Sequence, residues 1–202
     1  MLTYLGSRRF IGDLSLQDAD ILAKWSDISR DILEFGSGGS TQLLAQSNAN
    51  SIISVETDPA WIKRTRKNLA RIPNARPVKF VNYTNYFDRE FDFILVDGVD
   101  NLRQQFALDT WQYLRVGGVM MFHDTRRFRD FQNVAWVAQS YFNEIYQIDV
   151  NARASDGNSS NMTVIHKKIN EPYQNWNQVE GKPRWAYGID DGENHDLWQQ
   201  NA

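Results

Sequence analysis

Short, continuous apolar runs separated by amphipathic stretches organise this chain. The runs fall at 32–35, 52–55, 77–81, 91–97 and 119–122. Such runs read as strands buried on both faces of a parallel sheet. The stretches between them carry helical spacing. Ser15 with Asp18 resembles a helix start, and 16–25 continues as a short amphipathic helix. Asp58 followed by Pro59 supplies an N-cap and a proline at the first helical position, after which Trp61, Ile62, Thr65 and Leu69 form an apolar stripe. A helix over 101–114 would turn Leu102, Phe106, Trp111 and Leu114 to a core, with Val116, Gly117 and Gly118 as the turn after it. One over 128–141 would bury Phe131, Val134, Ala135 and Ala138. The pattern then changes. Residues 144–150 alternate, 162–166 form another strand, and the link around Ser155, Asp156, Gly157 and Asn158 is turn-rich without a helix signal. Adjacent strands without a crossover helix pair antiparallel. The expected fold is α/β, a Rossmann-like three-layer sandwich of five strand–helix units that ends in a hairpin.

From about residue 168 the periodicity stops, and Trp176, Trp185 and Trp198 sit among polar and turn-forming residues. The expected organisation is one α/β domain over 1–168 and an irregular aromatic tail over 169–202 packed on it. The tail aromatics would shape an acceptor pocket or a contact in a homo-oligomer. A length of 202 residues with 42% hydrophobic content suits one folded domain and argues against disorder. The 22 basic and 25 acidic residues leave a net charge of −3, so no global basic field points to nucleic acid. There is no cysteine, which removes disulfides and thiolate metal sites and suits a reducing cytoplasm. The first residues do not read as a secretory signal, and no apolar run is long enough to span a bilayer. A cytoplasmic protein without a membrane partner is the expectation.

The candidate chemistry begins where the first apolar run meets Glu34, Phe35, Gly36, Ser37, Gly38, Gly39, Ser40 and Thr41. A strand collapses there into a glycine turn with a small polar helix start, and the next apolar run ends in Glu56. Parallel sheets hold nucleoside-containing cofactors in this way: glycines let the backbone approach closely, and an acid at the next strand tip accepts from the ribose hydroxyls. A nicotinamide fingerprint would place glycine or alanine three residues after Gly38, where Thr41 stands.

With Val96, Asp97 and Gly98, then Gly117, Gly118, His123 and Asp124, and the terminal hairpin, the chain resembles the class I S-adenosylmethionine-dependent methyltransferases over roughly 30–168. The nearest branch is that of the catechol-type O-methyltransferases and the cephalosporin-hydroxylase-like group. The resemblance implies a seven-stranded, mostly parallel sheet whose last two strands form the hairpin. It implies that Gly36, Ser37, Gly38, Ser40 and Thr41 cradle the methionine part of the cofactor, that Glu34 orients the loop or meets the cofactor's ammonium, that Glu56 binds the ribose and that Tyr83 lies near the adenine.

Asp97 and Asp124 fall at adjacent strand tips, about 4.8 Å apart in a sheet, so both carboxylates can face one pocket. There they would hold Mg²⁺, which would draw in a substrate hydroxyl and lower its pKa. The catechol type has asparagine where Thr125 stands and its catalytic lysine where Asp100 stands. Without a metal, Asp97, Asp100 or His123 is the candidate general base, His123 by its ordinary pKa; Asp100 reads equally well as a helix cap. Arg126, Arg127 and Arg129 follow Asp124 and would attract an anionic acceptor. The leading function is O-methylation of a small molecule. Two alternatives stay open: an inactive binding protein that keeps the fold, and an NAD-dependent oxidoreductase.

Overall fold

The structure of the protein is a computed structural model that describes residues 4–168. The tail expected over 169–202 lies outside the described residues. Seven strands form one sheet: β1 (Asp31–Phe35), β2 (Ser51–Val55), β3 (Val78–Val81), β4 (Phe91–Val96), β5 (Leu114–His123), β6 (Ile145–Asp149) and β7 (Met162–Lys167). Their order across the sheet is β3-β2-β1-β4-β5-β7-β6. The first five run parallel, and β7 pairs antiparallel with both β5 and β6. This is the expected Rossmann-like sandwich with its terminal hairpin, except that the third of the five expected strand–helix units lacks its helix: β3 leads to β4 through a loop over 82–90.

The helices are α1 (Leu16–Ile28), α2 (Gly39–Leu44), α3 (Pro59–Leu69), α4 (Arg103–Thr110) and α5 (Phe128–Ser140). Alternate strand residues feed two cores, one on each face. Phe35, Ile94 and Val96 pack with Phe106, Trp111, Phe131 and Val134 from the α4 and α5 side. Ile32, Phe93, Leu95 and Met121 pack with Ile21, Leu22, Leu43 and Leu44 from α1 and α2. Burial on both faces is why these strands read as unbroken apolar runs.

Register places the site. Phe35 lies level with Val55 on one side and with Val96 on the other, and Val96 lies level with Phe122. The next residues, Gly36, Glu56, Asp97 and His123, therefore lie level along one edge of the sheet. Two further ladder bonds hold these tips together: the Gly36 amide donates to the Val55 carbonyl at 2.9 Å, and the Asp97 amide to the Phe35 carbonyl at 3.0 Å.

Other expectations need correction. The helix over 101–114 is divided into a 3-10 turn at Asp100–Leu102, α4, and a second 3-10 turn at Trp111–Tyr113. Leu114 already belongs to β5, where it pairs with Phe91. Gly117 and Gly118 are not a turn but an irregularity inside β5, where the register with β4 slips between Phe91 and Phe93. A Cβ on Gly118 would lie 2.7 Å from the Asp92 carbonyl oxygen, so the strands can approach there only without a side chain. On α3 only Thr65 of the expected stripe is buried; Trp61 is 38% exposed and faces a cleft instead. Leu102 is likewise exposed rather than core.

Candidate functional site

A cleft of about 390 Å³ opens where β1 meets β4. This is the switch point of the sheet, with β2 leading away on one side and β5 on the other, and open α/β sheets bind ligands there. Gly36, Ser37, Gly38 and Ser40 line it, together with Glu56, Asp97 and His123. The widely separated runs of the sequence thus share one wall. Asp13, Trp61 and Phe106 also line the cleft, and none of them was singled out for it from the sequence.

Gly36 has φ +86, and a Cβ there would lie 2.5 Å from the Asp97 carbonyl oxygen. Only glycine lets the β1 tip pass so close to the β4 tip. Gly38 carries no such demand, since its φ of 171 is extended and a Cβ would meet only the Trp61 ring nitrogen at 3.8 Å. The tighter second contact is at Gly39, where a Cβ would lie 2.8 Å from the Asp13 carboxylate and from the Ile11 carbonyl oxygen. The N-terminal segment therefore rests directly on the loop.

Glu34 does not line the cleft. It is wholly buried beneath the loop, where it accepts hydrogen bonds from the hydroxyls of Ser40 (2.5 Å), Thr41 (2.7 Å) and Ser54 (2.7 Å). Thr41 in turn accepts the Gly38 amide at 2.8 Å. Glu34 and Thr41 thus shape the loop from below. Burial pushes the Glu34 carboxyl up to about 7, against the pull of the three hydroxyls. Glu56 faces the cleft and accepts from the amides of Ser37 (3.1 Å), Thr57 (2.8 Å) and Asp58 (2.9 Å). Its carboxylate is thereby oriented at the β2 tip. Tyr83 is exposed and bonds Asp109 at 2.8 Å, while its ring tilts against Phe106, which does line the cleft. Burial of its hydroxyl, with Asp109 beside it, pushes the Tyr83 pKa up to about 12.

Asp97, His123 and Asp124 converge: one ligand-capable atom from each lies within 4.8 Å of the others. His123 Nδ1 is 3.2 Å from Asp97 and 3.8 Å from Asp124, and its Nε2 is 3.6 Å from Asp18. Asp18 is buried on α1, where it accepts from the Ser15 hydroxyl and the Asn161 amide, each at 2.6 Å. The sequence suggested only a helix start at Ser15 and Asp18, and the structure adds this second role. Burial alone would lower the His123 pKa, but Asp18, Asp97 and Asp124 outweigh it and push it up to about 10. The imidazole is a cation near neutral pH, not the free base that its ordinary pKa suggested.

Arg103 was overlooked in the sequence. Its guanidinium is buried at the first turn of α4 and contacts Asp97 at 3.0 Å, Asp130 at 3.2 Å, Asp100 at 3.4 Å and Asp124 at 3.6 Å. It also donates to the carbonyls of Gly98 at 3.0 Å and His123 at 3.3 Å. A basic residue six positions after a strand-tip aspartate, amid so many acids, was the available signal. Asp100 is half exposed and pairs with Arg103 and Arg129 instead of capping a helix. Asp124 sits at φ +64, bonded to Asn161 and Arg127. Thr125 is buried and accepts from Thr163 at 2.8 Å, below the site.

The donor set does not fit Mg²⁺. That ion takes oxygen ligands at about 2.0–2.1 Å in octahedral array. Here the Asp97 oxygen that faces Arg103 also faces His123, and Asp124 is bonded by Asn161 and Arg127. The arginines expected to attract an anion are engaged too: Arg126 with the Ser159 carbonyl, Arg127 with Asp124 and Asp130, Arg129 with Asp100 and Asp130. Among the described residues no helix is long and apolar enough to cross a membrane.

Residues 33–125 match the family model for a methyltransferase domain. Solved structures with the same fold include an O-methyltransferase from Bacillus cereus in complex with S-adenosylhomocysteine, 19% identical, with a TM-score of 0.60 over 77% of this chain and 83% of that one. A methyltransferase-like protein from Silicibacter pomeroyi is 20% identical, with a TM-score of 0.56 over 86% and 96%. The O-methyltransferase TomG from Streptomyces achromogenes, solved with S-adenosylmethionine, is 14% identical, with a TM-score of 0.56 over 77% and 82%. A search of curated proteins finds no match.

Proposed function

We propose that the methyltransferase domain uses S-adenosylmethionine to methylate a hydroxyl group of a small molecule. One observation carries the reading: the glycine loop, Glu56 and Asp97 line a single cleft at the switch point of the sheet. The loop from Gly36 to Ser40 would hold the amino-acid end of the cofactor, and Glu56 its ribose. Phe106, with Tyr83 packed behind it, would border the adenine. S-adenosylmethionine supplies a methyl carbon on a sulfonium, whose sulfur leaves neutral. In transfer to the hydroxyl oxygen the electron pair of the broken C–S bond would stay with sulfur, and the Asp97 carboxylate would take up the hydroxyl proton. His123 and Arg103 hold that carboxylate in place. Positioning of the two reactants would supply up to about 7–11 kcal/mol of the acceleration. The paired state of Arg126, Arg127 and Arg129 leaves an anionic acceptor outside the proposal. A cytoplasmic setting, suggested by the cysteine-free composition, belongs to the same reading.

Calorimetric titration tests it. S-adenosylmethionine and S-adenosylhomocysteine should bind with one site each, and NAD should not. NAD binding without the other two would overturn the reading. Once an acceptor is found, Asp97→Asn should lower turnover roughly 100- to 10,000-fold while S-adenosylhomocysteine still binds.

A further inference from the structure

Two aspartates at adjacent strand tips are the arrangement that ordinarily gathers a divalent ion, and here a protein cation already stands between them. Arg103 lies 3.0 Å from Asp97 and 3.6 Å from Asp124. The guanidinium cannot swing away cheaply. It is 5% exposed, and Asp130 and the carbonyls of Gly98 and His123 hold it in addition to those two acids. Asp130 is itself 2% exposed, so the displacement of Arg103 would leave a buried carboxylate without this partner. The His123 ring at the end of β5 approaches the same two acids at 3.2 and 3.8 Å. Asn161 Nδ2 donates to Asp124 at 3.1 Å. A divalent ion entering here would face fixed N–H donors and a fixed positive charge.

We propose that Arg103, with His123 beside it, is the resident cation of this site, and that it bridges Asp97 and Asp124 in the place of a divalent metal. Arg103 is a positioning residue: it aims the Asp97 carboxylate at the cleft and neutralises the acids around it. With no ion to chelate, an acceptor needs only one hydroxyl oxygen, not two neighbouring ones. The inference rests on the methyl-transfer reading of the cleft, but its test does not.

Manganese stands in for magnesium and is followed by its electron paramagnetic resonance signal in the full-length protein, with and without S-adenosylhomocysteine. The wild type should leave millimolar manganese in its free, aquo form. Arg103→Gln should acquire a bound ion that the further change Asp97→Asn removes. One stoichiometric manganese on the wild type, lost in Asp97→Asn, would overturn the proposal. A folded Arg103→Gln protein that gains no manganese would overturn it as well. If Arg103→Gln does not fold, the wild-type measurement still decides. Failure of S-adenosylhomocysteine to bind would count against the methyl-transfer reading alone, and the manganese result would stand.

Discussion

Glu34 shows how one buried residue connects the loop to the pH dependence of the whole chain. In the unfolded chain its carboxyl titrates near 4.5, and in the folded protein near 7. Between those values the folded state binds the extra proton, so stability falls as pH rises from 4.5 through 7. The span corresponds to a loss on the order of 3 kcal/mol. Glu34→Gln removes the titrating group but keeps an amide that the three hydroxyls can meet by rotating. Urea unfolding at pH 5 and pH 8 should therefore show a wild type that weakens markedly with pH and a variant that weakens much less. Parallel behaviour of the two proteins would show that Glu34 is not the source. His123 is the opposite kind of residue. Its imidazolium is stabilised by partners from three places in the chain, Asp18, Asp97 and Asp124. No local pattern around position 123 announced two of them.

At the scale of elements, the loop between β1 and α2 separates two glycines that look alike in the sequence. Gly36 is pinned at positive φ against the Asp97 backbone, whereas Gly38 is extended and a Cβ there would make only an ordinary contact with Trp61. Gly36→Ala should cost at least about 1–2 kcal/mol for the left-handed conformation, with further loss from the clash. It should also weaken S-adenosylhomocysteine binding, because relief of the clash moves the β1 tip from the β4 tip. Gly38→Ala should stay within about 1 kcal/mol of the wild type. Chemical denaturation and calorimetry on the two variants check this, and equal effects would contradict the geometry. β5 carries a similar lesson. Paired glycines usually mean a turn, yet Gly117 and Gly118 lie within a ten-residue strand. The close approach of the β4 backbone at Asp92 required Gly118, beside Gly117 at positive φ, and that approach depends on a neighbouring strand.

At the scale of the molecule, the cleft lies between two halves of the sheet and is bordered by loops from β1, β2 and β4, by His123 at the end of β5 and by the N-terminal segment at Asp13. A ligand there ties these parts together. At a concentration 100 times its Kd, S-adenosylhomocysteine should add about 2.7 kcal/mol of stability. For a chain of this size that corresponds to roughly a 5–10 °C rise in Tm. Differential scanning calorimetry measures the rise, and Gly36→Ala should shrink it.

The amino-acid sequence by itself determined the strand order along the chain, the five parallel strands, the terminal hairpin and the loop with its acid at position 56. These are local matters: apolar runs, helical spacing and glycine turns are written within short windows, and burial on both faces leaves little choice of structure. The tertiary structure alone decided which charges meet. Arg103 among four aspartates, Asp18 against His123, Trp61 at the cleft and Asp13 on Gly39 all join residues from different elements. Their partnership depends on strand register and helix packing, which bring distant side chains within a few ångströms and so set which of them are charged.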